Sequence, residues 1–178
     1  IKENLSSECI INSAERITTV KTRVIGNKHQ VLRVDSEDET PLSNPENTNL
    51  TKAIKQLIDN KKIDIVIFQD YDKGVITKGL IEDIIALCNS KNIPTAVDPK
   101  KRNFSDYKHA TLFKPNLKEL KEGLNIDIDP SNSKEVEAAI DQLNDNQQNK
   151  INFITLSEYG VLIKSDTDKK QISAHIRS

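Results

Sequence analysis

Residues 63–97 read IDIVIFQDYDKGVITKGLIEDIIALCNSKNIPTAV. An apolar run, Ile63 to Phe68, gives way to a polar, glycine-bearing stretch, Gln69 to Gly74. A helical period follows over 77–92, with Leu80, Ile84, Leu87 and Cys88 along one face, and then a second short apolar run, PTAV at 94–97. A strand covered on both faces is apolar throughout, whereas a helix lying on a sheet needs only one apolar stripe. Strand, helix, strand in that order is the parallel crossover unit.

The same alternation extends outward. LTKAIKQLIDN at 50–60 is helical in period, ATLF at 110–113 is a strand, and NLKELKEG at 116–123 is a short helix closed by Gly123. SKEVEAAIDQLNDN at 133–146 is a helix and INFITL at 151–156 a strand. GVLIKS at 160–165 and KKQISAHI at 169–176 form a closing hairpin. The fold class is α/β, with a mostly parallel sheet flanked by helices and covered on both faces.

Residues 1–36 have a different texture. ITTVKTRVI at 17–25 and QVLRVD at 30–35 are rich in β-branched residues and meet at GNKH, a hairpin signal. A two-stranded ribbon is marginal alone and must pack on something. The domain reading is therefore a β lid region over 1–36, a polar loop over 37–49 containing two prolines, and an α/β core over 50–178. The hairpin at 17–35 is expected to project from the core rather than join its sheet.

Bulk composition narrows the partners. The 178 residues suffice for one α/β domain, 35% are hydrophobic and 30% charged, and the net charge is −1. No excess of basic charge points to nucleic acid, and no apolar run approaches the roughly 20 residues that span a bilayer. No signal peptide opens the chain. Cys9 and Cys88 form no CxxC pair and are read as reduced, which places the chain in the cytoplasm. His29, His109 and His175 have no metal-ligand spacing.

In an open parallel sheet, ligands bind beyond the carboxyl ends of the strands. Those positions hold Gln69, Asp70, Tyr71, Asp72, Lys73 and Gly74 after the first core strand. Asp98, Lys100, Lys101 and Arg102 follow the next, Lys114, Pro115 and Asn116 the third, and Ser157 to Gly160 the fourth. Lysines for anions, carboxylates for a cation and helix starts presenting N–H groups suit a phosphorylated ligand with Mg2+. Each piece also has a purely structural use. Asn116 with Glu119 is a capping-box variant, Asp98-Pro99 a turn start, and the 100–102 cluster a solvated surface.

Four stretches together, TTVKTRVIGNKHQVLRVD, DYDKGVIT, VDPKKRNFSDYKHATLFKPNLKEL and ITLSEYG, resemble the ribokinase-like carbohydrate kinases. They look most like the kinases of D-glycero-D-manno-heptose 7-phosphate in ADP-heptose and lipopolysaccharide core synthesis, often half of a bifunctional protein. The resemblance runs over about residues 8–176 and rests on the order and spacing of the motifs.

That resemblance implies roles. Pro115, Asn116 and Glu119 would orient the Mg2+-bound phosphates of ATP, Glu119 through water. Lys100 would lie near the transferred phosphoryl group. Ser157 and Gly160 would line the nucleotide site. Lys21, Arg23, Gln30 and Arg33 on the lid, with Asp70 and Lys73 below it, would contact the sugar phosphate. A homodimer through the lid hairpin is also implied.

The family's D-x-x-G-A-G-D stretch, which carries its anion hole and general base, is matched nowhere: the five glycines stand at 26, 74, 79, 123 and 160. The chain is accordingly read as a central fragment, with N- and C-terminal parts of the fold missing. Two other functions stay open: a kinase for another sugar phosphate, and a non-catalytic ligand-binding or dimerisation module.

Overall fold

A computed structural model describes residues 6–174. Two sheets form. One is a two-stranded antiparallel hairpin of β1 (Val20–Gly26) and β2 (His29–Ser36). The other has six strands in the order β3-β4-β5-β6-β7-β8. Its members are β3 (Val66–Gln69), β4 (Thr95–Asp98), β5 (Leu112–Phe113), β6 (Ile151–Thr155), β7 (Val161–Ser165) and β8 (Lys169–Ile172). β3 to β6 pair in parallel, and β7 and β8 add antiparallel strands at one edge. The helices are α1 (Asn44–Asn60), α2 (Lys78–Ser90), α3 (Leu117–Leu124) and α4 (Ser133–Gln147).

One hydrophobic core joins Phe68, Val97, Phe113, Ile154 and Leu162 of the sheet to Ile81, Ile84 and Cys88 of α2, Leu120 of α3, and Ile140 and Leu143 of α4. Alternation along each strand fixes which residues enter it: β4 and β6 bury every second side chain. The opposite face does not join the core. Ile65 and Ile67 are 47% and 64% exposed, and Leu112, Phe153 and Ile163 are only half-buried. The mostly parallel sheet flanked by helices is present. Coverage of both faces, expected from the apolar runs, is not seen among the described residues.

Three boundaries depart from the sequence reading. Residues 6–19 hold no strand, so β structure in the lid region is confined to 20–36, and residues 1–5 lie outside the described part. Arg16 is committed elsewhere: its guanidinium donates to the carbonyls of Thr40, Asp38 and Lys73, stapling this segment to two loops. The 37–49 loop is shorter than expected because α1 begins at Asn44. Ser43 and Glu46 make a capping box there and Pro45 occupies the first turn, where it costs no hydrogen bond. Gly123 does not close α3, which runs to Leu124 and ends at Asn125 in the left-handed region (φ 53°). Gly123 instead makes room for a ring, since a Cβ there would lie 2.2 Å from Phe104 Cδ1. The closing hairpin forms as β7 and β8, while His175 and Ile176 lie outside the described residues.

The β1–β2 hairpin stands apart from the main sheet, as expected. Its register pairs Lys21 with Asp35 and Arg23 with Arg33 on one face. Val20, Val24, Leu32 and Val34 occupy the other, all about half exposed. The hairpin is thus two-faced, one side charged and one apolar.

Candidate active site

Parallel pairing brings the carboxyl ends of β3, β4, β5 and β6 to one edge. Three backbone bonds hold the segments beyond them in step: Asp70 N–H to Asp98 O (3.1 Å), Lys114 N–H to Val97 O (2.9 Å) and Thr155 N–H to Pro115 O (3.2 Å).

The centre of this edge carries two ion pairs. Lys100 Nζ contacts Glu119 Oε1, and Glu119 Oε2 accepts from the Asn116 N–H at 2.9 Å. Asn116 Oδ1 in turn accepts from the Glu119 N–H at 2.9 Å, completing the capping box. The Glu119 side chain is 7% exposed and that of Lys100 40%, so the carboxylate is fixed and the ammonium reaches outward. The hydrogen bond to Glu119 raises Lys100 above its ordinary 10.5, keeping it a cation. Beside it, Asp98 accepts from Gln69 Nε2 at 2.7 Å and pairs with Lys114 Nζ at 2.9 Å. Desolvation pushes Asp98 up, but the bonds from Lys114 and Gln69 and the charges of Lys114 and Lys100 outweigh it, leaving Asp98 below its ordinary 3.8.

On one side of this centre, under the hairpin, lies a cleft of about 560 Å³ lined by Lys21, Glu37, Asp70, Tyr71, Lys73 and Val75 among others. Lys21 of the hairpin and Lys73 of the core are joined through Glu37, with N–O distances of 3.4 and 2.5 Å. Glu39 is a second carboxylate on Lys73 at 2.5 Å. Glu37, then Glu39, hold Lys73 above its ordinary 10.5. The loop that carries Lys73 turns at Gly74, whose φ is +74° and whose Cα lies so close to Thr40 that a Cβ would sit 1.9 Å from the Thr40 carbonyl oxygen.

On the other side, a cleft of about 630 Å³ opens between Asn116, Leu117, Lys121 and Ser157. Ser157 has φ 54° and lies in a single 3-10 turn closed by Gly160. Gly160 has φ 88° and packs so tightly on β8 that a Cβ would fall 2.0 Å from the Ile172 carbonyl oxygen.

The structure therefore groups Lys100, Asn116 and Glu119, sets Ser157 beside Asn116, and gathers Lys21, Asp70 and Lys73 around one cleft. Arg23, Gln30 and Arg33 stand farther out on the hairpin and do not line that cleft. Arg33 pairs with Asp35 at 3.1 Å. Sequence reasoning missed Glu37 and Glu39, although the acidic run SEDE at 36–39 comes at the end of the lid hairpin. It also missed Asn103 and Tyr107, both buried and both bonded to Asp70. A further cleft of about 590 Å³, lined by Lys78, Glu82, Asp106 and His109, follows α2 and contains none of the expected site residues.

Among the described residues, no three His, Cys, Asp or Glu side chains converge to hold a metal ion directly. A single fixed carboxylate beside a lysine, as here, fits Mg2+ carried on nucleotide phosphates and reached through water, because Mg2+ keeps several of its waters.

The pattern of the family described as pfkB family carbohydrate kinase matches residues 1–177. The chain belongs to that family. It is 35% identical over 160 residues to the bifunctional protein HldE of Helicobacter pylori (strain Shi470), covering 89% of this chain and 33% of that protein. HldE of Aliarcobacter butzleri (strain RM4018) is 35% identical over 162 residues, covering 91% of this chain and 33% of its own length.

Among solved structures, Escherichia coli phosphofructokinase-2 in complex with fructose-6-phosphate superposes with a TM-score of 0.65 at 17% identity, over 90% of this chain and 52% of that one. Phosphomethylpyrimidine kinase of Clostridium difficile 630 gives a TM-score of 0.57 at 15% identity, over 86% and 68%. The architecture is therefore that of the ribokinase-like kinases. The pfkB-family chain spans about a third of the length of the curated relatives it matches and about half of the phosphofructokinase-2 chain.

Proposed function

We propose that this chain provides the acceptor and phosphate contacts of an ATP-dependent sugar-phosphate kinase acting on the anomeric hydroxyl of D-glycero-D-manno-heptose 7-phosphate. The observation that carries it is the Lys100–Glu119–Asn116 group standing at the same strand edge as the lid-covered cleft of Lys21, Asp70 and Lys73. The HldE relatives favour the heptose phosphate.

In the reaction, the anomeric oxygen forms a bond to the γ-phosphorus as the bond to the β-phosphate oxygen breaks, and ADP leaves. Such transfers depend on positioning and on charge stabilisation. Mg2+ carried on the nucleotide would neutralise phosphate charge, with Glu119 orienting it through water. Lys100 is placed to approach the moving phosphoryl group as a permanent cation. Ser157 and Gly160 shape the nucleotide cleft. The sugar lies between Asp70, Lys73 and the charged hairpin face, with Lys21, Arg23, Gln30 and Arg33 available to its phosphate. The lid excludes water from the transfer. The proton of the acceptor hydroxyl needs a base, and no stretch of this sequence matches the family's base motif.

The apolar hairpin face of Val20, Val24, Leu32 and Val34 supports a homodimer in which two lids pair. Cys9 and Cys88 are both free thiols, consistent with a cytoplasmic kinase.

An ATP-consumption assay with the heptose 7-phosphate tests the proposal, run on this chain and on a chain extended at both ends, beside calorimetric titration of both ligands. The expected result is binding without turnover by the 178 residues and turnover by the extended chain. Equal use of fructose 6-phosphate by the extended chain would favour a kinase for another sugar phosphate. Binding of neither ligand would overturn the kinase reading and leave a dimerisation module.

A further inference from the structure

Beneath the strand edge, Asp70 belongs to a buried polar cluster whose other members, Asn103 and Tyr107, have no part in the roles above. Asp70 is 2% exposed, Asn103 6% and Tyr107 0%. Asp70 Oδ2 accepts from Asn103 Nδ2 at 2.9 Å and from the Tyr107 hydroxyl at 3.0 Å. Asp70 Oδ1 accepts from the Asp72 N–H at 2.7 Å, the side-chain-to-backbone bond of an Asx turn. Asn103 Nδ2 also donates to the Ile76 carbonyl at 3.0 Å. Three of about four acceptor positions on the carboxylate are thus filled from inside the protein.

We propose that Asn103 and Tyr107 are positioning residues: through Asp70 they hold the 70–76 loop of the sugar-side cleft in register with the segment that carries Lys100. Three features support this. The cluster ties both ends of the loop, Asp72 at its start and Ile76 at its close, to one anchor. The anchor's other members follow Lys100 closely in the chain, so the loop and Lys100 share one rigid mount. A buried carboxylate is also an uneconomical way to hold a core together, because apolar groups of similar volume serve as well or better. Its presence beneath a site loop is the arrangement expected of groups that support ligand-binding side chains.

Tyr107 is suited to the task. Burial, and then the charge of Asp70, push its hydroxyl well above the ordinary 10.0, so it stays a donor at every physiological pH. Its ring is clamped edge-on by Phe68 at 5.7 Å and tilted against Phe113 at 6.1 Å, which fixes where the hydroxyl points. The negative charge of Asp70 is also felt at Lys100, where it adds to the effect of Glu119.

The identity of the ligand in this proposal rests on the sugar-phosphate reading above; the mount itself does not. The test compares Tyr107→Phe, which keeps the ring, and Asn103→Leu, which keeps the bulk, with Ile140→Val, a core change in α4 outside the cluster. Three quantities are measured on the 178-residue chain: global stability in urea, hydrogen exchange of amides 71–76, and affinity for heptose 7-phosphate and for MgATP by calorimetry.

After correction for global stability, the expected result is about tenfold faster exchange over 71–76 in both cluster variants and not in Ile140→Val. Sugar-phosphate affinity should fall about tenfold, with MgATP affinity held within about twofold. Exchange over 71–76 no faster than in Ile140→Val would overturn the proposal. So would sugar-phosphate and MgATP affinities that fall together in proportion to stability. Should the unaltered chain bind no sugar phosphate, the ligand reading fails, and the exchange comparison alone upholds or overturns the mount.

Discussion

Replacing Glu119 by Gln separates the two jobs of the residue at the centre of the strand edge. Its carboxylate caps α3 through Oε2 and faces Lys100 through Oε1. Gln keeps one carbonyl oxygen and is an accepted member of the capping box, so the bond from the Asn116 N–H survives. What is lost is the pairing with Lys100. The Lys100 side chain is 40% exposed, so solvent screens the pair and its loss costs about 0.5–1 kcal/mol. For a chain of this length that lowers Tm by roughly 1–4 °C.

The functional loss should be far larger. The substitution removes the negative charge that pairs directly with Lys100 and would orient a hydrated cation, and phosphoryl transfer depends on such electrostatics. Turnover in an extended, active chain should fall on the order of a hundredfold or more. Thermal melts of Glu119→Gln and Lys100→Met, singly and together, beside rates of ADP release, separate the contributions. Additive stability losses would mean that the two side chains do not interact. A fall in Tm of about 10 °C or more with normal turnover would refute the functional role and leave only a helix cap.

Gly74→Ala should destabilise the chain by more than about 1 kcal/mol, since φ is +74° and the added Cβ meets a backbone oxygen; urea unfolding measures it, and unchanged stability would mean the 70–76 loop is free to move. Asp98→Asn should lower stability at neutral pH. Because the Asp98 pKa is lowered below 3.8 in the folded chain, its contribution is present above that value and is lost as pH falls through the depressed folded value. The two proteins should therefore converge in stability as pH falls below that depressed folded value, and a gap that persists in acid would show that the charge on Asp98 is not what stabilises. Val24→Lys with Val34→Lys on the apolar hairpin face should yield a folded monomer by analytical ultracentrifugation, and a dimer that survives both changes would place its interface elsewhere.

Local chemistry made a large part of this protein legible. The runs that became β3, β4, β5 and β6 each send a side chain (Phe68, Val97, Phe113, Ile154) into one core, and the amphipathic period of α2 and α4 follows from facing that same core. Asn116 and Glu119 could be paired on paper because a capping box spans three residues of one chain. The start of α1 is equally local: Ser43, Pro45 and Glu46 carry the signal, inside a stretch whose polar composition reads as a loop.

Other features join residues far apart in sequence, and no short window contains them. Lys100 meets Glu119 only because β4 and β5 pair in parallel, which puts the segments beyond them side by side. Glu37 neutralises Lys21 and Lys73 only because the hairpin folds down over the β3 loop. Asp70, Asn103 and Tyr107 find one another across 37 residues of chain, and Gly123 is glycine because Phe104 passes over it. Each of these depends on distances that the tertiary packing sets, since a hydrogen bond or an ion pair gains energy only within a few ångströms of its partner.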